Sequence, residues 1–259
     1  MSPPPLTVRL RDVVAFAGRY PVLAGVNLDV TEGEILALRG ANGAGKTSLL
    51  RAMAGLLPLA SGEASVLGLD PTADARVLRP LVGLLGHRNG LYDDLSAEDN
   101  VLFAARGARR SRSSRGAKSV TPGAGRDSVA ASSAALEHLG ITGRLRSLPV
   151  SRLSAGQRRR VALAALLARQ PRLFLLDEPH AGLDDEHRGL LDGVLVEIAS
   201  QGGTVVLASH DAGTASALAA RVVGMAGGTV LGDFLDPTVD PWLGGSANDL
   251  APIAADMRM

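Results

Sequence analysis

The sequence predicts an α/β fold with a parallel sheet and a smaller β-layer before it. Residues 35–38, 173–176 and 205–208 form uninterrupted apolar runs, which are typical of strands buried on both faces of a parallel sheet. Between residues 6 and 34, short apolar runs alternate with turn signals, and this pattern predicts the β-layer. A final hairpin is predicted where two short apolar segments flank Gly227 and Gly228.

A glycine-rich stretch follows the first of these strands. Residues 40–47 read GANGAGKT and match the pattern G-x-x-x-x-G-K-S/T, with a helical pattern directly after it. Its glycines allow backbone N–H groups to reach phosphate oxygens, and the start of the helix adds partial positive charge. Lys46 adds a full charge, while the hydroxyl of Thr47 suits Mg²⁺, which prefers oxygen ligands. The stretch therefore predicts a nucleoside triphosphate site made of Gly40, Asn42, Gly43, Ala44, Gly45, Lys46, Thr47 and Ser48.

Two carboxylates come at the end of the second predicted strand, where open parallel sheets place their ligands. We expect Asp177 to hold Mg²⁺, directly or through a water, and Glu178 to orient or deprotonate the attacking water. His210 follows the third strand. A histidine at a strand end is more often a surface residue, but this one would share the sheet edge with both carboxylates.

Composition limits the remaining possibilities. The 259 residues are 46% hydrophobic and 20% charged, which suits one sizeable α/β domain or two small ones. A net charge of +1 gives no global attraction to nucleic acid or an acidic membrane surface. The absence of cysteine excludes disulfides and thiolate chemistry. No apolar run reaches the roughly 20 residues of a spanning helix, so we expect a cytoplasmic protein that meets the membrane only through a partner.

The middle of the chain changes in character. Ser96, with Asp99 three residues later, predicts the start of a helix that continues through Ala105. Residues 106–131 then combine many basic residues with Ser, Gly and Ala and almost no large apolar side chain. We expect a flexible basic insert here, more readily a solvated loop than a contact for RNA or anionic lipid. Farther along, LSAGQ at residues 153–157 precedes another helical pattern.

Together these motifs resemble the ATP-binding subunits of ABC transporters, up to about Val230. GANGAGKTS is similar to the Walker A loop, LFLLDE to the Walker B strand, and LSAGQ to the family signature, with Ala155 where Gly is commonest. Residues 181–184 match the D-loop and His210 the switch histidine. The resemblance implies a P-loop NTPase (RecA-like) core, a small antiparallel β-layer and an inserted helical subdomain at about residues 88–170. The ATP-binding domain would cover residues 1–232, followed by a tail at 233–259.

The resemblance also implies a mechanism and partners. Two copies, or this chain and a related ATPase subunit, would pair head to tail around two ATP molecules with Mg²⁺. The Walker A loop of one chain would face Ser154, Gly156 and Gln157 of the other. Glu178 would act as general base, with Lys46 and His210 on the γ-phosphate. A transmembrane permease would hold the dimer on the cytoplasmic face of the membrane, and no nucleic acid partner is expected.

Two positions depart from the family pattern. At the Q-loop position, where Gln usually contacts Mg²⁺ and faces the membrane partner, the chain has His87, whose imidazole can also ligate a metal. The usual adenine-stacking aromatic aligns nearest Ala17. Its neighbours Phe16 and Tyr20 are candidates to stack on adenine, and ordinary packing at a strand end is the alternative for each.

Within the family, residues 86–95, LSAGQRRRVALA at 153–164 and LLDEPHAGLD at 175–184 are most similar to the ATP-binding subunits of haem exporters used in cytochrome c maturation. Three alternatives remain open. The first is an ABC transporter ATPase for another substrate, and the second is a soluble ABC ATPase that acts on ribosomes or nucleic acid through the basic insert. The third, a P-loop kinase, is disfavoured by LSAGQ.

Overall fold

A six-stranded sheet forms the centre of the protein in the computed structural model, which describes residues 5–113, 124–209 and 218–234. Its strands are β3 (Ile35–Arg39), β5 (Val82–Leu85), β6 (Leu173–Asp177), β7 (Thr204–Ala208), β8 (Arg221–Ala226) and β9 (Thr229–Phe234). They are ordered β5-β6-β7-β3-β8-β9, and all neighbours run parallel except β8 and β9, which form the predicted hairpin. The predicted α/β class is confirmed.

A second sheet covers one side of this core. It consists of β1 (Leu6–Ala17), β2 (Tyr20–Thr31) and β4 (Ser61–Val66), paired antiparallel in the order β2-β1-β4. Its inner side chains pack with one face of β3 and with helix α1 (Lys46–Met53) in a single apolar cluster. The small antiparallel β-layer is therefore confirmed, and it braces the segment that contains the glycine-rich loop.

Helices pack on both faces of the central sheet. Besides α1, the helices are α2 (Ala75–Leu78), α3 (Ala97–Ser113), α4 (Ala124–His138), α5 (Arg144–Ser147), α6 (Ala155–Ala168) and α7 (Asp185–Ser200). Residues of α3, α4, α6 and α7 cover the face opposite the β-layer, whereas Leu78 of α2 joins α1 and the β-layer in one apolar cluster. Helices α3, α4 and α6 lie between β5 and β6 in the sequence, and they pack on one another. We call them the helical insert. None of the helices in the described ranges is both long enough and apolar enough to cross a membrane.

The prediction of a flexible insert at residues 106–131 is wrong for its described parts. Helix α3 continues to Ser113 and α4 begins at Ala124. The physical reason is close packing of small side chains: Ala108 is 6% exposed, and Ser128 and Ser132 are each 2% exposed. Small residues allow helices to pack closely without large apolar groups. The prediction of flexibility rested on the absence of such groups from the sequence. Residues 114–123 lie outside the described part of the chain, as do residues 235–259 of the predicted tail.

Side-chain caps begin three of these helices, with Asp184 accepting from the N–H of His187 at α7. The Ser96 hydroxyl accepts from the backbone N–H of Asp99 at 3.1 Å, as predicted for the start of α3. At α6, the Ser154 hydroxyl accepts from the Gln157 N–H at 3.2 Å, and the Gln157 side chain accepts from the Ser154 N–H at 2.9 Å. This reciprocal capping box satisfies two N–H groups that a helix start otherwise leaves free. It places the LSAGQ segment at an N-terminus.

Candidate nucleotide-binding site

A cleft of about 920 Å³ lies at the carboxyl ends of β3 and β6. It contains every predicted residue of the glycine-rich loop together with the predicted metal and base positions. Several further lining residues, among them Pro21, Val22, Gly227 and Gly228, were not predicted. Among the described residues, the full lining consists of Pro21, Val22, residues 40–48, His87, Asp177, Glu178, Ala181, Gly227 and Gly228.

Two glycines of the loop occupy positions that exclude any side chain. Gly40 has φ 154°, and a Cβ there would lie 2.2 Å from the carbonyl oxygen of Met225. Gly45 has φ 104°, and its Cβ would lie 2.9 Å from the carbonyl oxygen of Val22. The loop therefore packs directly against neighbouring backbone. Gly45 is also the N-cap of α1, so the N–H groups at the first turn of that helix lie at the cleft.

The hairpin turn between β8 and β9 packs against the glycine-rich loop and is hydrogen-bonded to it. The N–H of Gly228 donates to the Ala44 carbonyl at 3.0 Å, and the Gly228 carbonyl accepts from the N–H of Ala24 at 2.9 Å. A Cβ on Gly228 would lie 2.9 Å from the Val22 carbonyl oxygen. This contact was missed because two adjacent glycines at a hairpin already have an explanation in turn geometry.

Lys46 is largely buried at the start of α1. Its Nζ donates to the carbonyl oxygens of Gly40 at 2.6 Å and Ala41 at 3.1 Å, which ties the ammonium to the loop. Burial lowers the pKa of Lys46 below its ordinary value, and the nearby charges of Glu178 and Asp177 oppose that effect. A phosphate in the cleft would favour the charged form further, because it brings negative charge to a poorly solvated ammonium.

The three predicted metal positions meet at one oxygen atom. The Thr47 hydroxyl donates to Asp177 Oδ2 at 2.7 Å, and His87 Nε2 lies 3.9 Å from the same oxygen. Within the described ranges, no cluster of three or more His, Cys, Asp or Glu side chains could hold a metal by itself. A hydroxyl and one carboxylate nevertheless suit Mg²⁺, which binds few protein oxygens and completes its shell with water and phosphate.

Glu178 follows Asp177 with an unusual backbone conformation. Its φ of 50° is in the left-handed region, which residues other than glycine seldom adopt. Its N–H donates to the Ala208 carbonyl at 2.9 Å, so β7 holds the turn in place. This turn directs the chain away from β6 and leaves Glu178 among the residues that line the cleft. Such local strain is found at functional sites that the surrounding structure supports.

Other predicted site residues lie outside this cleft. Phe16 and Tyr20 are 44% and 78% exposed at the end of the β1–β2 pair, and neither is among the described residues that line the cleft. The signature residues Ser154, Gly156 and Gln157 are at the start of α6 and are not among the described residues that line the cleft. His210 lies outside the described residues.

Comparisons with known proteins agree with this geometry. Residues 23–181 match the family described as ABC transporter. A cytochrome c biogenesis ATP-binding export protein, CcmA, from Paraburkholderia xenovorans is 40% identical over 195 residues, or 74% of this chain and 85% of that protein. A glutamine transport ATP-binding protein, GlnQ, from Escherichia coli is 32% identical over 222 residues, or 83% of this chain and 86% of that protein.

Among solved structures, the dimeric structure of a bacterial ABC transporter cassette is similar. It has a TM-score of 0.75 and 25% identity, and the alignment covers 88% of this chain and 99% of that one. The sequence similarity and the shared fold explain why the glycine-rich loop, the two carboxylates and the LSAGQ helix occur together. The chain belongs to the ABC transporter family, as an ATP-binding subunit with ATPase activity.

Proposed function

We propose that the chain powers a membrane exporter that serves cytochrome c biogenesis, with haem as the transported substrate. One observation supports the hydrolytic part: Lys46, Thr47, Asp177 and Glu178 converge on one cleft, with Thr47 hydrogen-bonded to Asp177. The 40% identity to the Paraburkholderia export protein supports the substrate. The 32% identity to a glutamine transport protein makes an ATPase for another substrate the second candidate.

In this proposal each residue has a separate task. The N–H groups of the loop and Lys46 bind the phosphates of ATP, and Thr47 and Asp177 hold Mg²⁺. The metal, when bound, neutralises charge on the phosphate oxygens. Glu178 accepts a proton from the attacking water, which needs a base within hydrogen-bond reach of that water. His210 contacts the γ-phosphate and keeps that water in place.

A second copy or a related subunit completes the site. Ser154, Gly156 and Gln157 do not line the cleft of their own chain and lie at the N-terminus of α6, where the partial positive charge of the helix favours an anion. We propose that they bind the γ-phosphate held by the partner. ATP then favours the closed dimer, because it contacts both chains, and hydrolysis removes that contact. The similar cassette is dimeric, which supports the pairing of two chains.

We propose that the membrane permease docks beside the helical insert, next to the His87 segment. A groove of about 310 Å³ lies there, lined by residues of the 84–92 segment, α3 and α6. Tyr92 and Phe103 are 54% and 57% exposed at this groove, and their rings meet edge to face with centroids 5.3 Å apart. Exposed aromatic pairs of this kind are typical of interface centres.

Replacing both aromatics tests the docking site. We expect the Tyr92→Ser, Phe103→Ser protein to lose co-purification with its membrane subunit, because the central apolar contacts of the interface are gone. ATP hydrolysis by the isolated chain should stay within about 2-fold of wild type, since surface substitutions change stability little. Val196→Ser on α7 is a matched control, because Val196 is 52% exposed but does not line the groove. Retained co-purification of the double variant would contradict this docking site.

A conservative change at the Q-loop position tests the role of His87. We expect His87→Gln to keep ATPase activity within about 3-fold of wild type, because a glutamine amide also offers an oxygen to Mg²⁺ or its water. The His87 side chain is 77% exposed, so the change should not disturb packing. Phosphate release at saturating ATP and Mg²⁺ measures the effect, with His87→Ala as the variant that lacks any ligand. Complete loss of activity in His87→Gln would show that the two side chains are not equivalent.

The substrate is tested in the host of the protein. A strain that lacks the chain should lose c-type cytochromes, which hold haem covalently and are visible as haem-stained bands. Wild type should restore the bands and Glu178→Gln should not. Normal cytochromes together with a defect in uptake of another solute would favour the second candidate. Recovery of ribosomes or nucleic acid in a pull-down of the Glu178→Gln protein would favour a soluble ABC ATPase instead.

A further inference from the structure

Arg159 lies beneath the cleft and is not among its described lining residues. It is on α6, five positions after the cap residue Ser154, and is 6% exposed. One terminal nitrogen of its guanidinium donates to the Gly86 carbonyl at 2.7 Å and to the Asn89 side chain at 3.4 Å. The other donates to two backbone carbonyls at the end of β6, at 2.6 Å and 2.8 Å. Those two carbonyls belong to Asp177 and Glu178.

The guanidinium therefore joins three segments at one point. Gly86 directly precedes His87, Asp177 and Glu178 carry the proposed metal and base positions, and α6 begins with the signature. The acceptors are main-chain carbonyls in three of the four bonds, so Arg159 holds the backbone at Asp177 and Glu178 rather than their carboxylates. Only a forked donor with several N–H groups can make this pattern.

Burial of this cation is costly and is compensated in part by these contacts, which engage its terminal nitrogens, while its buried Nε–H has no hydrogen-bond partner among the described residues. Burial lowers the pKa of Arg159, and the nearby charges of Asp177 and Glu178 act in the opposite direction. A buried charge persists only when its hydrogen bonds are well made. Its four terminal N–H groups meet four acceptors, which leaves little freedom for the guanidinium to move independently of α6.

We propose that Arg159 is a positioning residue that keeps Glu178 and His87 in register with the signature helix. Helix α6 packs on the rest of the helical insert, so displacement of the insert moves the guanidinium with it. Hydrogen bonds weaken steeply beyond normal distances, and a shift of about 1 Å in a catalytic group can cost about 100-fold in rate. Engagement of the signature with ATP would thus set the geometry of the base in the same chain. This inference rests on the proposed roles of Glu178 and His87.

The test compares kcat and KM for ATP in Arg159 variants. We expect Arg159→Gln to lower kcat by about 10- to 100-fold, because the backbone of Glu178 loses its anchor. KM should change less than about 3-fold, since the loop and Lys46 that contact ATP are untouched. Arg159→Lys should have an intermediate kcat, because an ammonium keeps the charge but has three N–H groups for four acceptors. If Arg159→Gln does not fold, Arg159→Lys and Arg159→Met take its place, the latter removing the charge with little change in volume.

Arg160→Gln is the matched control on the same helix. Arg160 is 7% exposed and donates to the carbonyls of Leu139 and Gly140, which directly follow α4 and do not line the cleft. We expect this variant to have a lower Tm but a kcat and KM within about 2-fold of wild type, since only buried hydrogen bonds are lost.

The results separate the inference from the proposed function. Equal losses of kcat in Arg159→Gln and Arg160→Gln, or a raised KM with unchanged kcat in Arg159→Gln, would overturn the positioning role. Glu178→Gln is measured in parallel. An inactive Glu178→Gln together with a normal Arg159→Gln would overturn the inference alone, whereas an active Glu178→Gln would overturn the proposed role of the base and the inference with it.

Discussion

The Glu178→Gln protein is expected to hydrolyse ATP about 100- to 10,000-fold more slowly than wild type, the usual contribution of a positioned general base. Glutamine has the shape of glutamate but accepts no proton from the attacking water. The loop, Lys46 and the Thr47–Asp177 pair are unchanged, so ATP binding should persist. Because ATP then remains between the chains, the variant should accumulate as a closed dimer.

Phosphate release measures the rate, and size-exclusion chromatography with light scattering measures the dimer in the presence of ATP and Mg²⁺. Glu63→Gln is a suitable control, because Glu63 is an exposed carboxylate on β4 and does not line the cleft. It should match wild type in both measurements. Near-normal hydrolysis by Glu178→Gln would mean that another group activates the water.

The sequence was sufficient for the parts of the site that are continuous along the chain. The loop at residues 40–48 and the pair Asp177 and Glu178 could be placed in one cleft, because strands of a parallel sheet bring their carboxyl ends to a common edge. Strand and helix order followed from apolar periodicity in the same way. These signals are local, so tertiary contacts did not have to be known in advance.

Contacts between distant segments were not predictable. Arg159 and Gly228 each support the site from a segment far away in sequence, and an arginine on a predicted helix is ordinarily a surface residue. Residues 106–113 and 124–131 were wrongly predicted to be flexible, whereas the structure has them in helices. The small side chains of Ala108 and Ser128 give no apolar signal in the sequence, but both are buried where the helices of the insert pack together.

Lys46→Ala is expected to weaken ATP binding by about 10- to 150-fold, which corresponds to the loss of a charge-assisted hydrogen bond. The ammonium lies at the Gly40 and Ala41 carbonyls, within the loop that would surround the phosphates. Removing it deletes a positive charge and also leaves those two carbonyls without their donor. Arg51→Ala on the same helix is the control, because it removes an exposed positive charge outside the cleft.

The pH dependence of ATP affinity tests the same residue more sharply. Burial lowers the pKa of Lys46, so its charge is lost at a lower pH than that of an ordinary lysine. Since the phosphates need the charged form, binding of ATP raises that pKa and is accompanied by proton uptake. Affinity should therefore fall as the pH rises through the pKa of the free protein. Equilibrium binding of ATP, measured from neutral to alkaline pH, should show this fall in wild type and Arg51→Ala but not in Lys46→Ala. The same dependence of ATP affinity on pH in all three proteins would exclude Lys46 as the titrating group.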